Sequence, residues 1–252
     1  MSYYVVGAFA RDILLENIFN TPTGIATQDI DVAIQVNKWE DYQVLLEGLK
    51  RQYRYTVGKN SCELISPENV HTDLLPYGAI EQNRSISFPP KFDRVINMMG
   101  FQEIHDAAIE VYLDGKIPFK VASLEGLVIL KFIAWQDLKP AMISQKHTRD
   151  IGLIIDAYFD AMVANFASEF ADLFDEPDFD STVCGAAALG RRIRQLCHSS
   201  NELTNEIHQL FSKILEKEEN SLFISQLTAT SNHRYAYSLR IVKALIKGFV
   251  EY

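Results

Sequence analysis

Asp29-Ile30-Asp31-Val32-Ala33-Ile34-Gln35-Val36 is the stretch on which the reading of the first half of the chain turns. Ile30, Val32, Ile34 and Val36 share one parity, and Asp29, Asp31, Ala33 and Gln35 share the other. A period of two marks a strand, because successive side chains point to opposite faces. The apolar parity is expected in the core, with both carboxylates projecting together from the other face. Two like charges this close repel unless a cation neutralises them. Hard oxygen donors suit Mg²⁺, which takes one or two protein carboxylates together with phosphate oxygens. The alternative is a solvent-facing strand whose acids keep an edge soluble.

Upstream, the apolar run Tyr3 to Val6 ends at Gly7-Ala8 and opens onto Ala10, Ile13, Leu14 and Ile18 at helical spacing. This reads as a strand, a tight turn and an amphipathic helix. Small residues at such a junction let a ligand approach the backbone, and the unpaired N–H groups of a helix start favour an anion such as phosphate. Arg11 adds a positive fork close to that turn. Downstream, Val70-His71-Thr72-Asp73-Leu74-Leu75 is a second strand candidate, expected to stop at Pro76-Tyr77-Gly78. Placed beside the first strand, Asp73 completes a three-carboxylate cluster able to hold two metal ions. Such a pair of ions stabilises the entering and leaving oxygens of a phosphoryl displacement, and a third acid accepts the proton of an attacking hydroxyl. His71 shares the parity of Asp73, although a lone histidine is more often a packed or exposed bystander than a ligand.

The surrounding 252 residues are 48% hydrophobic and 23% charged, which excludes disorder and fibrous repeats and allows a sizeable core. There is no apolar run of about 18 residues and no cationic-then-apolar leader pattern, so the expectation is a cytoplasmic protein without a membrane segment. Cys62, Cys184 and Cys197 follow no metal-ligand spacing and are expected as buried thiols. The net charge of -9 disfavours non-specific attraction to a phosphate backbone. It is unevenly spread. Residues 151–180 carry 8 acidic and no basic side chains, whereas residues 181–252 carry 9 basic and 6 acidic ones, with Arg191, Arg192 and Arg194 clustered. On a helix, Arg191 and Arg194 lie one turn apart and suit a polyanion equally with a solvated face. Asp172 to Asp180, broken by Pro177, reads as an exposed connection.

Two textures divide the chain. Residues 1–122 mix β-branched runs with helices, and residues 123–252 show helical spacing near 123–137, 147–174, 185–198, 201–218 and 235–250. The fold class expected is α+β: a small mixed sheet with flanking helices, followed by a helical C-terminal bundle.

Val6-Gly7-Ala8-Phe9-Ala10-Arg11-Asp12 followed by Thr27-Gln28-Asp29-Ile30-Asp31-Val32-Ala33 resembles the entry motif of the DNA polymerase β-type nucleotidyltransferase superfamily. More narrowly, the chain is similar to the AbiEii-type nucleotidyltransferase toxins of type IV toxin-antitoxin systems. The segments Asp73 to Glu81, Leu127 to Trp135 and Lys146 to Ile151 share that likeness, which spans roughly residues 4–158. The resemblance implies a nucleotidyltransferase catalytic domain over 1–122 and a helical domain over 123–252 that completes an active-site cleft. It implies Gly7 and Ala8 at the triphosphate turn, Asp29 and Asp31 as Mg²⁺ ligands, and Asp73 as a further ligand or general base. It also implies Lys131 near the nucleotide phosphates and Asp150 as a later acid of the site. Read without it, Lys131 is a lysine that snorkels from an apolar run, and Asp150 is an acid in the first turns of a helix. The chain departs from the family at Ala8, where a second glycine or serine is usual, at Leu138, where an arginine is common, and at His147, where an acid is common.

The activity implied is transfer of a nucleoside monophosphate from an NTP to an acceptor hydroxyl, with tRNA the first acceptor to test and an antitoxin protein as partner. An RNA-end polymerase of the CCA-adding kind is a second reading, since Gly7 to Leu15 also resembles that group's opening motif. A degenerate fold serving as a nucleotide-sensing or protein-binding module is a third.

Overall fold

The computed structural model describes the chain except for residues 23, 25, 26, 91, 93, 94, 139–144, 176, 177 and 252. The fold is α+β, and the chain divides into two compact units. The first comprises Met1–Ile13 and Gly24–Ser123, and the second Leu14–Thr23 and Leu124–Tyr252.

The first unit is built on β1 (Tyr3–Val6), β2 (Asp29–Val36), β3 (Thr56–Val57), β4 (Glu63–Ile65), β5 (His71–Gly78), β8 (Ile109–Leu113) and β9 (Ile117–Val121). These form one mixed sheet in the order β3-β4-β5-β2-β1-β9-β8. A separate ribbon pairs β6 (Ser85–Ser87) with β7 (Val95–Asn97). Helices α1 (Gly7–Asp12), α2 (Trp39–Tyr53) and α3 (Phe101–Asp106) accompany the strands, and α1 runs on into π-type turns over Ile13–Ile18.

The strand β2 has the bounds that its periodicity predicts, and it sits in the middle of the sheet, antiparallel to β1 and parallel to β5. Its polar parity is not all solvent-facing. Ala33 is fully buried, and Gln35 donates from Nε2 to Gln102 Oε1 at 2.8 Å on α3. Tyr4, opposite Ala33 on β1, donates its hydroxyl to the Phe101 carbonyl at 2.8 Å and packs edge-on to Tyr77. Aromatic rings therefore close this face at the carboxyl end of the strand and leave the acids at its amino end. The expected stop at Pro76 does not occur, because β5 continues to Gly78. The ladder with β4 ends at Asp73, so the missing N–H of Pro76 breaks no hydrogen bond on that side.

The second unit is helical: α4 (Leu124–Gln136), α5 (Lys146–Ala161), α6 (Val163–Glu169), α7 (Ser181–Cys197), α8 (Asn201–Leu215), α9 (Leu222–Thr230) and α10 (Tyr235–Glu251). The single helix expected over 147–174 is broken at Met162 and Phe170 and ends in a 3-10 turn over Ala171–Asp175. Phe132, Phe223, Phe211 and Phe249 form a contiguous ring cluster with centroids 5.0–5.2 Å apart. Cys62, Cys184 and Cys197 are buried and form no disulfide among the described residues. No helix among the described residues is long and apolar enough to cross a membrane.

Candidate functional site

Register brings together what spacing alone left apart. On the sheet, Asp31 pairs with Val6 of β1 on one side and with Asp73 of β5 on the other, and Asp73 in turn pairs with Glu63 of β4. Residues paired in this way project from the same face. Asp31, Asp73 and Glu63 thus form a row across three neighbouring strands, each strand about 4.8 Å from the next. Asp29 stands two residues further along β2, exposed, in register with His71.

The turn at Gly7 is fitted to this row. Gly7 has φ +74°, and a Cβ added there would lie 1.8 Å from Asp31 Oδ2 and 2.7 Å from its Cγ. The Asp31 carboxylate rests directly on the glycine backbone, so the glycine serves both the left-handed turn and the close approach. Ala8 follows, buried within α1. Arg11 is 2% exposed and donates from Nε to Asp12 Oδ1 at 2.8 Å, which makes its guanidinium part of a buried ion pair.

Glu63 and His71 were missed as a pair by sequence reasoning. Glu63 accepts from the Lys59 N–H at 2.6 Å, and its Oε1 lies 2.8 Å from His71 Nδ1. The His71 hydrogen bond is the chief reason that its carboxyl titrates below the usual range. These contacts draw the Glu63 carboxylate toward the turn, where a Cβ at Gly58 would meet it at 2.3 Å. The histidine read as a bystander is anchored by an acid eight residues upstream, a separation that no helix or single-strand period brings together.

In the second unit, Lys131 on α4 and Asp150 on α5 are joined directly, with Nζ donating to Oδ2 at 2.6 Å. They are 9% and 1% exposed, so Lys131 does not snorkel. His147 lies one turn before Asp150 on α5. Burial first, and then the Lys131 charge, push its pKa down to about 4, and its Nδ1 has no hydrogen-bond partner among the described residues. The arginine cluster of α7 is also engaged within this unit. Arg191 makes a two-point bond to Asp172, Arg192 binds Glu169, and Arg194 lies over the Phe249 ring at 5.7 Å. Asp172 belongs to the segment expected as an exposed connection, of which Glu176 and Pro177 fall outside the described residues. A cavity of about 520 Å³ lies beside Arg191, Arg240 and Lys243, and neither Lys131 nor Asp150 lines it.

For a divalent metal, the donor set assembled by register is Asp31 with Asp73. Two adjacent carboxylates fit one Mg²⁺ that also takes phosphate oxygens. Among the described residues, no three His, Cys, Asp or Glu side chains are gathered closely enough to hold an ion by themselves. No protein-family model matches the chain, and no curated protein matches it.

Proposed function

We propose that the protein is a metal-dependent nucleotidyltransferase that moves a nucleoside monophosphate from an NTP to an acceptor hydroxyl. The observation that carries this reading is the Asp31–Asp73 register with the Asp31 carboxylate seated on the Gly7 turn. Two carboxylates side by side on neighbouring strands are a donor set suited to a divalent cation that also takes phosphate oxygens. Asp31 and Asp73 would hold Mg²⁺, with Asp29 next along the strand. When bound, the ion supplies charge neutralisation for the phosphates. Gly7, beneath the Asp31 carboxylate, and the buried Ala8 would form the turn that a triphosphate approaches. The acceptor oxygen attacks the α-phosphorus, pyrophosphate leaves, and a carboxylate of the row takes the hydroxyl proton. Lys131 and Asp150 belong to the second unit, and family resemblance alone assigns them to the nucleotide.

RNA, and tRNA first, is the acceptor class this reading favours, with an antitoxin protein as the partner that restrains the activity. Incubation with α-labelled NTPs, Mg²⁺ and total RNA is the test. Label should pass to RNA, and Asp31→Ala and Asp73→Ala should each abolish it. A second reading, a nucleotide-binding module without transfer, is favoured by the absence of a gathered three-acid set among the described residues. Mg²⁺-dependent NTP binding with no label on any acceptor would select it and end the enzyme reading.

A further inference from the structure

The first unit contains a concavity away from the acid row. It has a volume of about 280 Å³, and its walls include Trp39, Ile80, Gln82, Asn83, Ser85 and Phe92. Trp39 and Ile80 follow the carboxyl ends of the parallel strands β2 and β5, whereas Asp31 and Asp73 sit near their amino ends. Roughly 17 Å of strand separates Asp31 from Val36. The two places are distinct, and a ligand in one does not occupy the other.

Among the described residues, those that line this cavity are uncharged. Trp39 packs edge-on against Tyr42 and Phe88, with centroids 5.9 and 5.7 Å away, which fixes the plane of the indole. Phe92 contributes a phenyl ring that is 60% exposed. Gln82 and Ser85 exchange two backbone hydrogen bonds, 2.8 and 3.0 Å, around a tight turn. Both central residues of that turn, Asn83 and Arg84, have left-handed backbones with φ of 51° and 57°. Such turns favour Asn or Gly at these positions, and an arginine there is a strained choice. The turn holds the Gln82 and Asn83 amides at the rim, and among the described residues neither amide side chain is hydrogen-bonded.

We propose that this cavity binds a single nucleobase. Rings of Trp39 and Phe92 suit the face of a planar heterocycle, and amides that donate and accept suit its hydrogen-bonding edge. The volume lies just below the ~300 Å³ at which pockets for larger ligands begin, which fits one base rather than a dinucleotide. The base comes either from a free nucleotide or from an unpaired position of an RNA, and the chemistry of recognition is the same. Nothing in this proposal depends on nucleotidyl transfer.

The chain has two tryptophans, and Trp135 is hydrogen-bonded to Gln226 in the second unit, so Trp135→Phe leaves Trp39 as the only indole reporter. Titration of that protein with adenosine, cytidine, guanosine and uridine, and with a short unpaired oligoribonucleotide, is followed by Trp39 emission without Mg²⁺. At least one base should quench emission saturably, and an abasic oligomer should not. Asn83→Ala and Gln82→Ala, both at exposed positions, should each weaken binding by about fivefold or more. Trp39→Ala, measured by equilibrium dialysis, should weaken it by about five- to a hundredfold. Asp31→Ala should leave it unchanged, which separates base binding from catalysis. Tighter binding of the oligomer assigns RNA as the source, and equal or tighter binding of the nucleoside assigns a free nucleotide. Absence of saturable quenching by every base, equal quenching by the abasic oligomer, or parental affinity in both amide variants overturns the proposal.

Discussion

Replacing Gly7 by alanine tests the geometry of the acid row. The new Cβ would lie 1.8 Å from Asp31 Oδ2, whereas real Cβ contacts below 3.0 Å are essentially never seen. The carboxylate must retreat or the turn must move, and β2 is fixed on both sides by β1 and β5. A left-handed backbone on a residue with a side chain costs about 1–3 kcal/mol. The reduced freedom of the unfolded chain returns about 0.4–1 kcal/mol, and displacing the Asp31 carboxylate adds a further cost of order 1 kcal/mol. The sum is about 1–3.5 kcal/mol, or roughly 2–14 °C in melting temperature for a chain of this size. Urea and thermal denaturation read it directly, and a double-mutant cycle isolates its cause. In an Asp31→Ala background the two nearest clashing atoms are gone and only the Cβ at 3.0 Å remains. Gly7→Ala should then cost about 1–2 kcal/mol less than in the parent. Equal costs in both backgrounds would refute the contact, and a Gly7→Ala protein melting within about 1 °C of the parent would refute the turn geometry as well.

Two further predictions concern the second unit. His147 is held at about pH 4 while the unfolded chain takes up its proton near 6.5, so the folded state loses stability as pH falls through that window. The linkage is about 3 kcal/mol in full and roughly half that for a partly exposed ring. His147→Gln should flatten the stability difference between about pH 7 and about pH 4.5, and an unchanged slope would discard the buried neutral imidazole. Lys131→Met leaves Asp150 as a buried carboxylate without its ammonium and should cost about 3–5 kcal/mol, whereas adding Asp150→Leu should recover most of it. A double variant no more stable than the single one would mean that the loss does not come from an uncompensated Asp150 charge.

The parts of the fold written in local periodicity were legible, and the parts written in register were not. The alternation over Asp29–Val36 gave β2 to the residue. Nothing in that alternation says which residue of β5 stands beside Asp31, because register depends on packing and ladder ends rather than on either strand alone. Glu63 joins the row from a three-residue strand too short to show a period. Helix α9, Leu222–Thr230, was not anticipated because Phe223, Ile224, Gln226 and Leu227 are buried without a strong polar-apolar alternation. Lys131 shows the same limit from another side. An apolar run containing a lysine reads as a helix from which the charge escapes, and only the approach of α5 supplies Asp150 as the buried partner. The clustered arginines of α7 read as a candidate polyanion surface, and their engagement by Asp172 and Glu169 depends on the preceding turns folding back.

The acid row sets like charges side by side on neighbouring strands. Like charges directly opposite one another destabilise a ladder by some tenths of a kcal/mol to about 1 kcal/mol. For Glu63 the structure offsets that cost with two backbone N–H donors and His71, drawing the carboxylate aside. Asp31 and Asp73 stand side by side in register, with Asp31 seated on Gly7. Asp73→Asn should therefore raise stability in EDTA by about 0.5–1 kcal/mol. The parent should gain about 1.4 kcal/mol from Mg²⁺ at ten times its dissociation constant, and Asp73→Asn should gain far less under the same conditions. A crossing of the two stability curves as Mg²⁺ rises is the signature of a carboxylate pair kept for a cation. If Asp73→Asn is the less stable protein in EDTA, the pair contributes to folding without a metal, and the physical case for Mg²⁺ at this row is lost.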